Sequence, residues 1–206
     1  MNGSLIVQQA AAHAQQLILL FHGVGASPEG MVPLGEALAA AHPQAFVVAV
    51  RAAHASDLGR GYQWFSVAGI SEEHRPQRIA QAMPLFVDTV QHWQKRSGAS
   101  SENTTLVGFS QGAIMSLEAS QLGEPLASRI VSLSGRFAVP PRRAPAAQLH
   151  FIHGEQDGVI PPQFAVNAVE QLRALDATPT LDLIPALAHG IDQRVRDTLL
   201  ARLSAA

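Results

Sequence analysis

The chain has 206 residues, 47% of them hydrophobic and 15% charged, with a formal net charge of −2. That length and apolar content predict one domain over 1–206 with its own core, and exclude a disordered chain. The near-neutral charge leaves no electrostatic footprint for nucleic acid or an anionic membrane surface. The absence of cysteine excludes disulfides, thiolate metal sites and a cysteine nucleophile.

Residues 1–16 are polar and Ala-rich, without an apolar stretch of signal-peptide length, so the expectation is a cytoplasmic protein. Residues 5–7 predict an edge strand and 17–21 a buried one, too short to cross a membrane, so no stable membrane insertion is expected. A helix over 31–41 and a strand over 46–50 follow. Residues 52–75, carrying Trp64 and Phe65, read as a loop. The spacing then predicts a helix over 78–96, which Pro84 should bend, a strand over 105–109 and a helix over 111–122. A strand over 130–133, a Pro/Arg-rich loop over 139–147 and a strand over 149–152 come next. A helix over 163–175, a strand over 181–184 and a helix over 193–203 complete the chain. Apolar runs alternating with amphipathic segments are the sequence form of βαβ units, so the class is α/β with a mainly parallel sheet flanked by helices. No insertion is long enough for a large cap domain.

Gly108-Phe109-Ser110-Gln111-Gly112 joins the end of one predicted strand to the start of a helix. A serine nucleophile needs its Oγ clear of the backbone, so it sits in a sharp turn whose close neighbours lack side chains, here Gly108 and Gly112. The helix that follows directs its first N–H groups and its dipole at the serine.

A serine hydroxyl needs a histidine to take its proton and a carboxylate to hold that histidine, in the chain order Ser, acid, His. Asp157 lies just beyond the strand over 149–152, where ligand chemistry collects in open parallel sheets. Glu155 is the close rival, whereas Asp182 falls within a candidate strand. Of nine histidines only His189 follows Asp157, and it too lies beyond a strand end. The oxyanion hole calls for the Gln111 N–H and a second donor from an early strand's loop. His22-Gly23-Val24-Gly25 supplies that loop and makes Val24 the candidate. Because both donors belong to the backbone, substituting the Val24 or Gln111 side chain should change little. A phosphate-loop reading of Gly23-Val24-Gly25 fails, because no Gly-Lys-Ser/Thr follows and the sole lysine, Lys95, is distant. No ligand spacing suggests a metal, and no cofactor is expected.

Leu20-Phe21-His22-Gly23-Val24-Gly25, Gln63-Trp64-Phe65, Val107-Gly108-Phe109-Ser110-Gln111-Gly112-Ala113, His153-Gly154 through Asp157-Val159-Ile160-Pro161, and His189-Gly190 occur in that order along nearly the whole chain. With them the sequence resembles the phospholipase/carboxylesterase family of α/β-hydrolases, which includes small bacterial carboxylesterases and acyl-protein thioesterases. The resemblance implies a compact fold without a large lid and a two-step acyl-enzyme mechanism. It implies small-molecule acyl esters or thioesters of short to medium chain as substrates. It makes Trp64 and Phe65 candidates for an acyl-pocket wall, which Met115, Ile160 and Leu187 could extend. Two positions depart from the family pattern: Ser66 stands where Asp usually follows Trp-Phe, and Ala26 where Asp is common after the His-Gly turn. A thioesterase or peptidase could use the same Ser, Asp and His, and the reading from another class is a non-catalytic binding module on this fold.

Overall fold

The computed structural model describes residues 3–10 and 14–204. Its elements in chain order are β1 (Leu5–Gln8), β2 (Gln16–Phe21), α1 (Val32–Ala41), β3 (Ala45–Val50), β4 (His54–Ala55), β5 (Tyr62–Gln63) and α2 (Arg75–Ser97). After these come β6 (Thr104–Phe109), α3 (Gln111–Ala119), β7 (Arg129–Leu133), β8 (Gln148–Gly154), α4 (Gln163–Ala174), β9 (Thr180–Ile184) and α5 (Gln193–Ser204). Seven strands form one sheet in the order β1-β3-β2-β6-β7-β8-β9. Every pairing in it is parallel except that of β1, which runs antiparallel along the edge strand position beside β3.

Alternation at period two divides the strand side chains between two apolar layers. On one face Leu17, Leu19, Phe21, Phe46, Val48, Leu106, Leu149 and Phe151 pack with residues of α2, α3 and α4, among them Phe86, Trp93, Met115 and Leu172. On the other, Ile18, Leu20, Val47, Val107, Val131 and Ile152 pack with Leu34 and Leu38 of α1 and Leu199 and Leu203 of α5. Strands β2, β3, β6, β7 and β8 are thereby covered on both sides, whereas β9 is only partly buried. Among the described residues no helix is long and apolar enough to cross a membrane.

Three departures from the expected elements have local causes. The segment over 52–75 is not a plain loop: β4 and β5 form a short hairpin within it. Gly61, at φ 84, lets that hairpin press against the Gly25 carbonyl, where any side chain would collide. Helix α2 starts at Arg75 rather than residue 78, because Pro76 is favourable in a first turn, where the N–H it lacks would have no acceptor within the helix. It then runs uninterrupted through Pro84 to the left-handed Gly98, whose N–H closes on the Gln94 carbonyl. Helix α3 stops at Ala119, and the Ser120 hydroxyl donates to the Leu117 carbonyl at 2.6 Å.

The close packing also buries His22, His150 and His153, and burial holds each imidazole below its ordinary value of 6.5. A histidine whose folded pKa is depressed contributes stability that is complete above its unfolded value. That contribution is lost as pH falls below 6.5, because the unfolded chain then binds the extra protons. Asp157, whose carboxyl is also lowered, acts in the same sense below its ordinary 3.8, while Glu118, raised by burial, acts in the opposite one. Urea unfolding between pH 8 and pH 5 should show a plateau above pH ~7 and falling stability below it. The slope should reach about 1.4 kcal/mol per pH unit for each histidine that protonates only on unfolding. Constant stability across that range would contradict the burial of neutral imidazoles.

Candidate active site

Ser110 links β6 to α3 in an unusual backbone conformation, φ 51 and ψ −114. Its N–H donates to the Leu133 carbonyl of the neighbouring strand at 2.9 Å, and its carbonyl receives the Ile114 N–H at 3.0 Å. Both glycines of the turn are required by contact. A Cβ at Gly108 would strike the Ala113 backbone, and one at Gly112 the Phe21 carbonyl of β2.

Asp157 and His189 arrive from the ends of β8 and β9. Gly154 makes their meeting feasible, since a side chain there would fill the space taken by the Leu187 and Ala188 carbonyls. The Gln156 N–H then pins the turn to the Leu187 carbonyl at 2.9 Å. In this arrangement His189 Nδ1 lies 2.7 Å from Asp157 Oδ2, and its Nε2 lies 2.9 Å from Ser110 Oγ. The structure thus brings the three expected side chains into one hydrogen-bonded chain. Of the rival acids, Glu155 is exposed and Asp182 pairs with Arg202 at 2.7 Å.

The buried Asp157 carboxylate is heavily solvated by the protein. Its Oδ1 accepts the Val159 and Ile160 N–H groups, both at 2.9 Å. Burial by itself would raise its pKa, but the His189 bond and the two amides outweigh burial and hold it below the ordinary range. His153, which the sequence reading passed over, adds another partner. Its Nε2 lies 2.8 Å from the Ile160 carbonyl and 3.3 Å from Asp157 Oδ2. Since a carbonyl only accepts, that nitrogen carries the proton. The pairing of His153 with Gly154 at a strand's end was the available signal.

On the other side of Ser110, Gly23 packs so closely that a Cβ on it would lie 3.2 Å from Ser110 Cβ. Neither the Val24 nor the Gln111 N–H donates to any group among the described residues.

A model of the phospholipase/carboxylesterase family matches residues 2–204. The chain belongs to the phospholipase/carboxylesterase family. It is 45% identical over 190 residues to the esterase YpfH of Escherichia coli (strain K12), a match covering 92% of this chain and 82% of that protein. Among solved structures, esterase PE8 matches with a TM-score of 0.89 and 27% identity, covering 98% of this chain and 97% of that one. A carboxylesterase from Mesorhizobium loti matches in fold with a TM-score of 0.79, at 19% identity over the full length of both chains. The sheet and its flanking helices are an α/β-hydrolase fold, and this family member is a carboxylic ester hydrolase.

The side chains read as candidates for an acyl-pocket wall lie in the two apolar layers of the fold. Met115 is fully buried and Phe65 3% exposed, both within the core layer on the α2 face. The Trp64 indole packs edge-on against Phe21 and Phe86, with ring centroids 5.3 and 5.6 Å away, and donates its Nε1–H to the His22 carbonyl. The physical reason is that α2 presents a wide apolar face which these residues cover. Ile160 is also buried in this layer, and Leu187 is half-buried against the opposite one. Both serve the site through their backbones, Ile160 by donating to Asp157 and Leu187 by accepting from Gln156.

Gln111 overturns the expectation that its side chain is dispensable. Its amide is buried, with Oε1 accepting the Trp64 N–H at 2.7 Å and Nε2 donating to the Phe65 carbonyl at 2.8 Å. It therefore clamps the middle loop to the start of α3. Removing it leaves two buried backbone groups unpaired, each costing roughly 1–3 kcal/mol. Gln111→Ala should lower the stability from urea unfolding by about 2–4 kcal/mol. A loss below about 0.5 kcal/mol would show the clamp to be redundant.

Proposed function

We propose that the protein hydrolyses short to medium acyl esters through an acyl-enzyme intermediate, with Ser110 as nucleophile, His189 as general base and Asp157 as its orienting carboxylate. The observation that carries this reading is the unbroken chain Asp157 Oδ2, His189 Nδ1, His189 Nε2, Ser110 Oγ, with steps of 2.7 and 2.9 Å. An ionised Asp157 accepts from Nδ1–H, which leaves the Nε2 lone pair facing the serine hydroxyl. As Oγ attacks the acyl carbon, its proton passes to Nε2 and the imidazolium is stabilised by Asp157. The proton is then delivered to the departing alkoxide. A water molecule then attacks the acyl carbon and loses its proton to His189, and the imidazolium returns that proton to Ser110 Oγ as the acyl–Oγ bond breaks and the carboxylic acid leaves.

The Val24 and Gln111 N–H groups, free of other acceptors among the described residues, are the donors proposed for the developing oxyanion. Each belongs to the backbone beside Ser110, one on the glycine turn after β2 and one at the first residue of α3. The helix dipole adds to the second.

Ser110→Ala should abolish labelling by a fluorophosphonate and reduce turnover of a p-nitrophenyl acyl ester by about 10⁶-fold. Asp157→Asn should keep the fold but lose roughly 10⁴-fold in kcat, because an amide at that position favours the wrong imidazole tautomer. Mass spectrometry of the labelled peptide identifies the modified residue. Label on any residue other than Ser110 would sink the assignment.

A further inference from the structure

We propose that His22 is a positioning residue of the ester hydrolase: its neutral imidazole fixes the orientation of the Gly23–Val24 peptide and thereby aims the Val24 N–H at the oxyanion. The inference rests on the reading of Ser110 and Val24 given above.

His22 is 1% exposed and takes no part in the proton chain through His189. Its Nδ1 lies 2.7 Å from the Gly23 carbonyl oxygen, and its Nε2 lies 3.1 Å from the Ala52 N–H. These partners leave one tautomer. A carbonyl can only accept, so Nδ1 carries the proton. A backbone N–H can only donate, so Nε2 carries the lone pair. Burial, the dominant influence, pulls the imidazole pKa below the ordinary range and keeps the ring neutral, as the second bond requires.

The Gly23 carbonyl and the Val24 N–H belong to one planar trans peptide and point in opposite directions. Anchoring the oxygen therefore fixes the direction of the N–H. The Ala26 N–H also reaches this carbonyl, at a longer 3.3 Å, so His22 supplies the shorter of its two bonds. At Gly23 the backbone is free to rotate the peptide, and without the imidazole only the turn bond would resist. The ring itself is held at Nε2 by the Ala52 N–H, and the His22 backbone is held by the Trp64 indole, which donates to the His22 carbonyl. The other proposed donor is fixed in the same manner, because the Ser110 carbonyl of the Ser110–Gln111 peptide accepts the Ile114 N–H at 3.0 Å. Both donors are thus aimed through the carbonyl of their own peptide.

Two isosteric substitutions divide the two functions of the ring. Asparagine places an N–H where His22 Nδ1 stands, and glutamine places its terminal amide near Nε2. His22→Asn should retain kcat within about tenfold of wild type. His22→Gln should lose about 100-fold in kcat with KM changed less than about threefold, approaching the loss seen when one oxyanion donor is removed. Equal kcat for the two variants, or wild-type kcat in His22→Gln, would overturn the role. Nitrogen chemical shifts of His22 in the unaltered protein read the tautomer without any variant having to fold, and an Nε2–H tautomer would equally overturn it. Fluorophosphonate labelling of the wild-type protein separates the two levels. Labelled Ser110 with equal variant rates refutes the His22 role alone, whereas unlabelled Ser110 refutes the reading beneath it.

Discussion

A serine at φ 51 and ψ −114 occupies backbone space that costs a residue bearing a Cβ about 1–3 kcal/mol, and it persists only where its surroundings over-determine it. Around Ser110 those surroundings are the bond from its N–H to β7, the bond from α3 to its carbonyl, and two glycines packed against backbone on either side. The central strands β2, β6 and β7 set the height of each of these contacts. Gly112 touches the end of β2, Gly108 belongs to β6 and Leu133 ends β7. The parallel register that builds the sheet is thus the same register that forces the serine out of it. Moving any one of these strands along its neighbour would release the turn.

Once the serine is fixed, the remaining groups reach it on loops, and loops need tethers. Backbone contacts between the turn after β8 and the one after β9 hold Asp157 and His189 together, and His153 lies 3.3 Å from the Asp157 carboxylate. The middle loop is tied to α3 by the Gln111 amide and to the glycine turn by the hairpin contact at Gly61. Arg136 joins the same loop to the segment after β7, bonding Glu72 while its guanidinium lies 4.0 Å from the centre of the Phe164 ring. The site therefore depends on polar side chains that never touch the reacting atoms. The partners of Gln111 and His153 lie inside the protein, where an unmade hydrogen bond costs more than a made one gains, whereas Glu72 is exposed.

That division also explains what could be read from the sequence. Ser110, Asp157 and His189 were legible because each follows an apolar run, so position along the chain already carried their position at the strand ends. The fold was legible for the same reason, since buried parallel strands are short unbroken apolar runs. Gln111 was read only as a backbone donor because its side-chain partners lie 46 and 47 residues away in the chain. His22 and His153 looked like any of nine histidines, since tautomer and partner are properties of the folded state. The β4–β5 hairpin was invisible to periodicity because each strand has only two residues. Trp64 and Met115 lie in a core layer, and spacing alone does not tell apolar residues that line a pocket from those that only fill a core.

The same loop shows how a departure from the family pattern is absorbed. Where Asp usually follows Trp-Phe, this chain has Ser66, and its hydroxyl donates at 2.6 Å to the carboxylate of Asp57, nine residues earlier. Asp57 Oδ2 also receives the Val67 and Ala68 N–H groups, and Arg78 closes the turn from outside by donating to the carbonyls of Ser66 and Ala68. The Ser66 bond is the largest of the influences that draw the Asp57 carboxyl down to about 2, so the turn keeps its negative charge through ordinary acid conditions. The acidic group is therefore present at this turn but is contributed from the hairpin instead of from the residue after Phe65. A carboxylate on the hairpin ties two parts of the loop that a carboxylate at position 66 would leave to be joined by other means. The loop that carries Trp64 is consequently tied to the hairpin, which itself bonds the glycine turn through Tyr62.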